Sequence, residues 1–156
     1  MKIILADLQI QVVTAWQQHF HDYSNVKVFH GSIFDVHCDA LVSPANSFGF
    51  MDGGIEMAIS RHFGWHVQER VQEVIQSKRH GELLVGTAIN KSVQRVAIPG
   101  MGTGVGKFPP DLCAKQMKQA IDDMLLEKYI FPNSWSDAQK RHQRLYGDDY
   151  RDLQHW

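Results

Sequence analysis

The residues able to do chemistry in this sequence gather in two stretches of one design. The first runs from Leu41 to Arg61, LVSPANSFGFMDGGIEMAISR. An apolar step, Asp39-Ala40-Leu41-Val42, stops at Ser43-Pro44, because proline has no amide hydrogen to continue a central strand. Gly49, Gly53 and Gly54 fill a loop, after which apolar residues at 55, 58, 59 and 63 follow helical spacing. A strand, a glycine loop and a helix in that order leave backbone N–H groups free at a positive helix end. An anion docks well there. Asn46 adds a side-chain amide, donor and acceptor together, which suits a pair of sugar hydroxyls. The plainer reading of Asn46 is a turn residue that bonds its own backbone.

The second stretch spans residues 96–110, VAIPGMGTGVGKFPP. A short apolar strand again ends at a proline, and glycines alternate at 100, 102, 104 and 106. Alternating glycines leave the backbone bare, so that successive N–H groups can curl into an anion-binding nest. Thr103 offers a hydroxyl in the middle of the loop, and Pro109-Pro110-Asp111 opens a helix. The spacing is not a Walker loop, since Met101 stands where its first glycine belongs and Phe108 follows Lys107. A dinucleotide fingerprint would need glycine at 105 or 107, which are Val105 and Lys107.

Both loops resemble those of macro domains. Ser43-Pro44-Ala45-Asn46-Ser47 with Asp52-Gly53-Gly54-Ile55-Glu56-Met57-Ala58-Ile59 is similar to the family's first loop. Ile98-Pro99 through Thr103-Gly104-Val105 and Phe108-Pro109 is similar to its second, diphosphate-holding loop. Gly31-Ser32-Ile33-Phe34 resembles the motif that opens its adenosine pocket, and the match spans roughly residues 26–128. Macro domains bind ADP-ribose, and some hydrolyse ADP-ribosyl bonds.

The resemblance therefore implies a three-layer α/β/α domain with a mixed sheet. It implies a ligand held by Ser32, Ile33, Ala45 and Asn46, with the diphosphate wrapped by Gly53, Gly54, Ile55 and Gly102, Thr103, Gly104, Val105 and Gly106. Lys107 and Phe108 close the same site, with Lys107 adding charge near the phosphates. In hydrolytic members an aspartate works with ligand-bound water; here Glu56 stands in its place and, with Asn46, is the candidate catalytic pair. A glutamate can serve as general base where geometry allows, although an acidic residue in a first helical turn is also favoured by the dipole alone. Ser32 replaces the aspartate that accepts a bond from the adenine amino group, so that contact loses its charge assistance. The chain is also shorter than the family pattern by one strand–helix unit. Only residues 90–94 separate the strand expected at 83–89 from the one expected at 95–98. An edge left open in this way must be covered, by the amino-terminal strand and helix or by a second copy in a homo-oligomer.

Strands at 1–6, 26–29, 83–89 and 96–98 alternate with helices from about Gln9, at 55–61, at 65–77 and at 111–128. Alternation of this kind implies an α/β layered domain over 1–130, with both loops at the carboxyl ends of the strands. Residues 131–156 read as a separate tail, with Ser134 capping a short helix over 135–145 and aromatic residues to dock on the body or on a partner. The 156 residues suffice for one core. A net charge of −1 offers no basic field, which disfavours nucleic acid as a main partner. Cys38 and Cys113, far apart, read as reduced thiols of a cytoplasmic protein, and no apolar run approaches a membrane span. The histidine pairs His19/His21 and His62/His66 lack supporting ligands, so no metal or cofactor is expected. Binding of ADP-ribose or a related ADP-ribosyl nucleotide is the reading carried forward. Hydrolysis of an ADP-ribosyl bond and a structural or assembly role with a degenerate pocket are the alternatives.

Overall fold

The computed structural model describes residues 1–44, 46–79, 81–82 and 93–144. Its elements follow in the order β1 (Lys2–Asp7), α1 (Ile10–Phe20), β2 (Val26–His30), a 3-10 turn (Ile33–Asp35), β3 (Ala40–Leu41), α2 (Gly54–Phe63), α3 (His66–Lys78), β4 (Arg95–Ile98), α4 (Pro110–Met124) and α5 (Trp135–Arg144). The sheet order is β2-β1-β4-β3 and every pairing is parallel. Register runs from Ile3 opposite Val26 to Asp7 opposite His30, and from Lys2 opposite Arg95 to Leu5 opposite Ile98. Parallel neighbours need crossovers, and α1 supplies the first of them. An antiparallel member, which a mixed sheet requires, is not among the described strands. The strand expected at 83–89 lies outside the described residues, as do Ala45 and the end of the tail from 145.

Strand alternation builds the layers. Ile3, Leu5, Val28, Val96 and Ile98 point to one face and pack with Val12, Ala15, Trp16, Phe20, Ala114 and Ile121 of α1 and α4. On the opposite face Ala6 and Ala97 sit beneath Ile33, Phe34 and Ile55, from the 3-10 turn and α2. The architecture is α/β, with helices on both faces of a parallel sheet. Small alanines at the centre of the second face let the turn after β2 approach the sheet closely.

Helix boundaries follow local chemistry. α1 starts at a carboxylate outside it: the Gln9 N–H donates to Asp7 Oδ1 at 2.8 Å. α2 and α3 part at Gly64, whose φ of 99° belongs to the left-handed region; its N–H returns to the Ser60 carbonyl at 2.8 Å. α4 ends at Met124, short of the Lys128 that the periodicity predicts. Lys128 instead folds back, its N–H to the Asp122 carbonyl at 3.0 Å and its ammonium to Asp122 Oδ1 at 3.1 Å. Tyr23 Oη (2.6 Å) and Lys118 Nζ (2.9 Å) donate to the same carboxylate. Burial pushes the Asp122 carboxyl upward, but these three donors outweigh it and hold it at about 2. The result fastens the end of α1 to α4.

In the tail, Ser134 caps α5 as expected, its Oγ accepting from the Asp137 N–H at 3.1 Å. Contact with the body runs through Arg141, which reaches Asp123 at 3.3 Å, the Ile130 carbonyl and the face of Tyr129. Trp135 stays 78% exposed. No helix among the described residues is long and apolar enough to cross a membrane.

Candidate functional site

Each of the four described strands delivers its carboxyl end to one cleft of about 680 Å³. Asp7 ends β1, Gly31 and Ser32 follow β2, Pro44 and Asn46 follow β3, and Pro99 and Gly100 follow β4. Parallel α/β sheets place ligands there because strand ends and helix starts expose unpaired backbone together. The volume falls within the usual range for small-molecule sites, ~300–1,000 Å³.

The candidate residues divide between two walls. Ser32, Ile33, Asn46, Gly53, Gly54, Ile55 and Glu56 line one side, and Gly102, Thr103, Gly104, Val105 and Gly106 line the other. Lys107 and Phe108 do not line the cleft. They close the second loop from behind: the Lys107 N–H donates to the Gly104 carbonyl and the Phe108 N–H to the Gly102 carbonyl, each at 3.0 Å. Lys107 does this in the left-handed region, with φ of 51°.

The side chains in the first wall are largely committed. Asn46 Oδ1 accepts from the Phe48 and Phe50 N–H groups at 3.1 and 3.2 Å, and its Nδ2 donates to the Phe50 carbonyl at 2.7 Å. The amide thus staples its own loop, the plainer of the two sequence readings, while lining the cleft. Ser32 Oγ accepts from the Phe34 N–H at 3.2 Å and so caps the 3-10 turn. Glu56 stands half-buried in the first turn of α2. Desolvation raises its carboxyl above the ordinary 4.5, and a bond from its own backbone N–H only partly offsets this.

The second wall offers backbone instead. Among the described residues the N–H groups of Gly102 to Gly106 donate to no protein acceptor, and Thr103 is buried to 8% exposure with its hydroxyl turned against Gly100. The sequence reading places both a run of peptide N–H groups and the Thr103 hydroxyl in this loop; the N–H groups are without protein acceptors among the described residues, and the hydroxyl lies against Gly100. Gly100 is pinned by Asp7 Oδ2, which accepts its N–H at 3.1 Å. Asp7 therefore joins the start of α1 to the second loop through one carboxylate.

Sequence reasoning missed Asp7 and Phe50. Asp7 had a signal: a carboxylate directly after a buried strand belongs at the ligand-bearing end of the sheet. Phe50 had none, since its exposure depends on how the loop is pinned. Among the described residues the charge in the cleft comes from Asp7, Asp52 and Glu56, with no lysine, arginine or histidine in the lining. Elsewhere, His62 stacks on Phe34 with ring centres 4.4 Å apart, and His19 pairs with Asp111 at 2.7 Å. No group of three or more His, Cys, Asp or Glu is placed to hold a metal among the described residues.

No family model matches the chain. It is similar to an uncharacterized protein of Aquifex aeolicus, 29% identical over 145 residues, covering 68% of this chain and 88% of that one. An uncharacterized protein of Sulfolobus acidocaldarius is 25% identical over 134 residues, covering 60% and 73% respectively. One from Pyrobaculum aerophilum is 31% identical over 100 residues, covering 62% of this chain and 54% of its own. None of these relatives has a stated activity.

Proposed function

We propose that the cleft binds ADP-ribose or a related ADP-ribosyl nucleotide. The observation that carries this reading is the run of N–H groups from Gly102 to Gly106 that meet no protein acceptor among the described residues, in a loop that lines the same cavity as the start of α2. A diphosphate needs several convergent donors, and backbone amides supply them without bulk. Two glycines strengthen the case. A Cβ at Gly53 or at Gly104 would meet nothing within 4 Å, and neither residue has a positive φ. Protein packing does not demand glycine at either place; close approach by a ligand does.

Calorimetric titration with ADP-ribose beside ATP tests this. Saturable binding selective for ADP-ribose is expected, and Gly104→Val should weaken it at least tenfold without lowering the melting temperature. Absence of binding in the unmodified chain overturns the reading.

One observation favours the hydrolytic alternative. A glutamate inside the cleft whose carboxyl is raised by desolvation is suited to taking a proton from water. Glu56→Gln should then abolish release of ADP-ribose from an ADP-ribosylated substrate while binding persists. An unchanged rate would remove Glu56 as the base.

A further inference from the structure

The cleft carries an aromatic lip that the phosphate-binding reading does not use. Phe50 lines the cleft with 53% of its surface exposed. Its backbone has little freedom to withdraw. Its N–H and carbonyl are both held by Asn46, at 3.2 and 2.7 Å, and the following Met51 N–H donates to Gln68 Oε1 at 2.8 Å. Met51 itself is buried at 3% exposure, which anchors the chain beside the exposed ring. Behind the lip, a Cβ on Gly49 would press on Val71 and Ile75 at 2.9 and 3.0 Å, so the loop backbone lies directly on α3. Because it lines the cleft on a fixed backbone, this half-exposed ring offers its face to whatever enters the cleft.

The charge around it narrows the partner. The same continuous stretch brings Asp52 and Glu56 into the cleft, and among the described residues no cationic side chain lines it. Asp7 is the exception among the carboxylates, because both its oxygens already accept backbone N–H groups. Asp52 and Glu56 leave an uncompensated negative field beside the Phe50 face. A metal ion does not answer it, since no ligand cluster for one exists among the described residues. An aromatic face flanked by carboxylates attracts a flat cation, which meets the ring quadrupole and the carboxylate oxygens together.

We infer that the Phe50 end of the cleft receives a planar cationic group attached to the distal sugar of the ligand. This rests on reading the cleft as an ADP-ribosyl nucleotide site and names the class of ligand it prefers. The shared chemistry is a delocalised nitrogen cation on the terminal ribose, and its sources are a pyridinium, as in NAD⁺, or a guanidinium, as in ADP-ribosylated arginine. Such a group also lowers the net negative charge of the ligand, which a bare diphosphate brings undiminished into a carboxylate-lined cleft.

Titration of the full chain with ADP-ribose, NAD⁺, NADH and ADP-ribosylated agmatine tests the inference. NAD⁺ and NADH share size and diphosphate and differ in the charge and planarity of one ring. NAD⁺ is expected to bind about tenfold tighter than NADH, in keeping with a cation–π contact supported by a carboxylate. Phe50→Leu keeps the apolar bulk without the π face, and Asp52→Asn removes one charge; each should bring the ratio towards one. The agmatine adduct binding tighter than NAD⁺ assigns the guanidinium source, and the reverse assigns the pyridinium. If ADP-ribose binds but neither cationic ligand binds better than its uncharged counterpart, this inference falls while the site reading stands. If no ligand in the panel binds, both fall.

Discussion

The two glycine loops face each other across one cleft and are built on opposite principles. In the first loop a side chain makes the structure: Asn46 closes three hydrogen bonds to residues 48 and 50, which use both acceptor sites of Oδ1 and one of the two Nδ2 hydrogens. In the second loop no side chain is used so. Its turn is closed by the Lys107 and Phe108 N–H groups, its base is pinned by Asp7 to Gly100, and the N–H groups between meet no protein acceptor among the described residues. One loop spends its polarity on itself; the other leaves its N–H groups without a protein acceptor among the described residues. Two loops that read alike as glycine-rich sequence thus contribute different things, a rigid lip and a row of donors.

Four substitutions probe that division. Gly100→Ala should have the largest effect. The new Cβ would collide with Thr103 Oγ1 and lie 2.8 Å from Asp7 Oδ2, in the most crowded part of the second loop. We expect a loss of about 3 kcal/mol in chemical denaturation, together with loss of ligand binding. A stable Gly100→Ala protein would mean that the loop is looser than its contacts imply. Asn46→Ala comes next. Removing three partly exposed hydrogen bonds should cost about 2 kcal/mol, while Asn46→Asp retains the two accepted bonds and should recover much of it. If Asn46→Ala left stability untouched and abolished binding, the staple would instead be a ligand contact.

Glu56→Gln reads the charge at the head of α2. A carboxyl raised in the folded state favours the protonated form there, so its stabilising contribution is complete below the unfolded value near 4.5 and fades as pH rises through the folded value. The Gln variant should therefore melt higher than the wild type at neutral pH, with the difference closing in acid. Equal melting temperatures across that range would show that the carboxyl is not desolvated. Lys107→Gly should have the smallest effect, a gain of about 0.5–1 kcal/mol from relieving a left-handed lysine. Lys107 stands outside the cleft lining, so affinity for ADP-ribose should change less than twofold or so. A larger drop would return its ammonium to the phosphates, as the sequence resemblance implies.

Sequence alone determined the alternation of strands and helices, because that follows from periodicity: Ile3 and Leu5 against Ala6, and Val12, Trp16 and Phe20 along one helical stripe. It also determined where the cleft lies, since proline and glycine mark the strand ends whatever surrounds them. Tertiary structure decided how each polar group is used. Asn46 reads equally as a sugar contact or a turn residue, and only the fold shows that its amide bonds Phe48 and Phe50 while lining the cleft. Thr103 could face outward, but the approach of Gly100 and Asp7 buried it. α4 ends at Met124 rather than Lys128, and Asp122 with the Tyr23 ring receives the Lys128 ammonium in a contact that no local pattern encodes. Periodicity is a property of the chain and survives in its sequence. A hydrogen bond has two partners, and which partner a flexible polar group finds depends on what folding brings within about 3 Å.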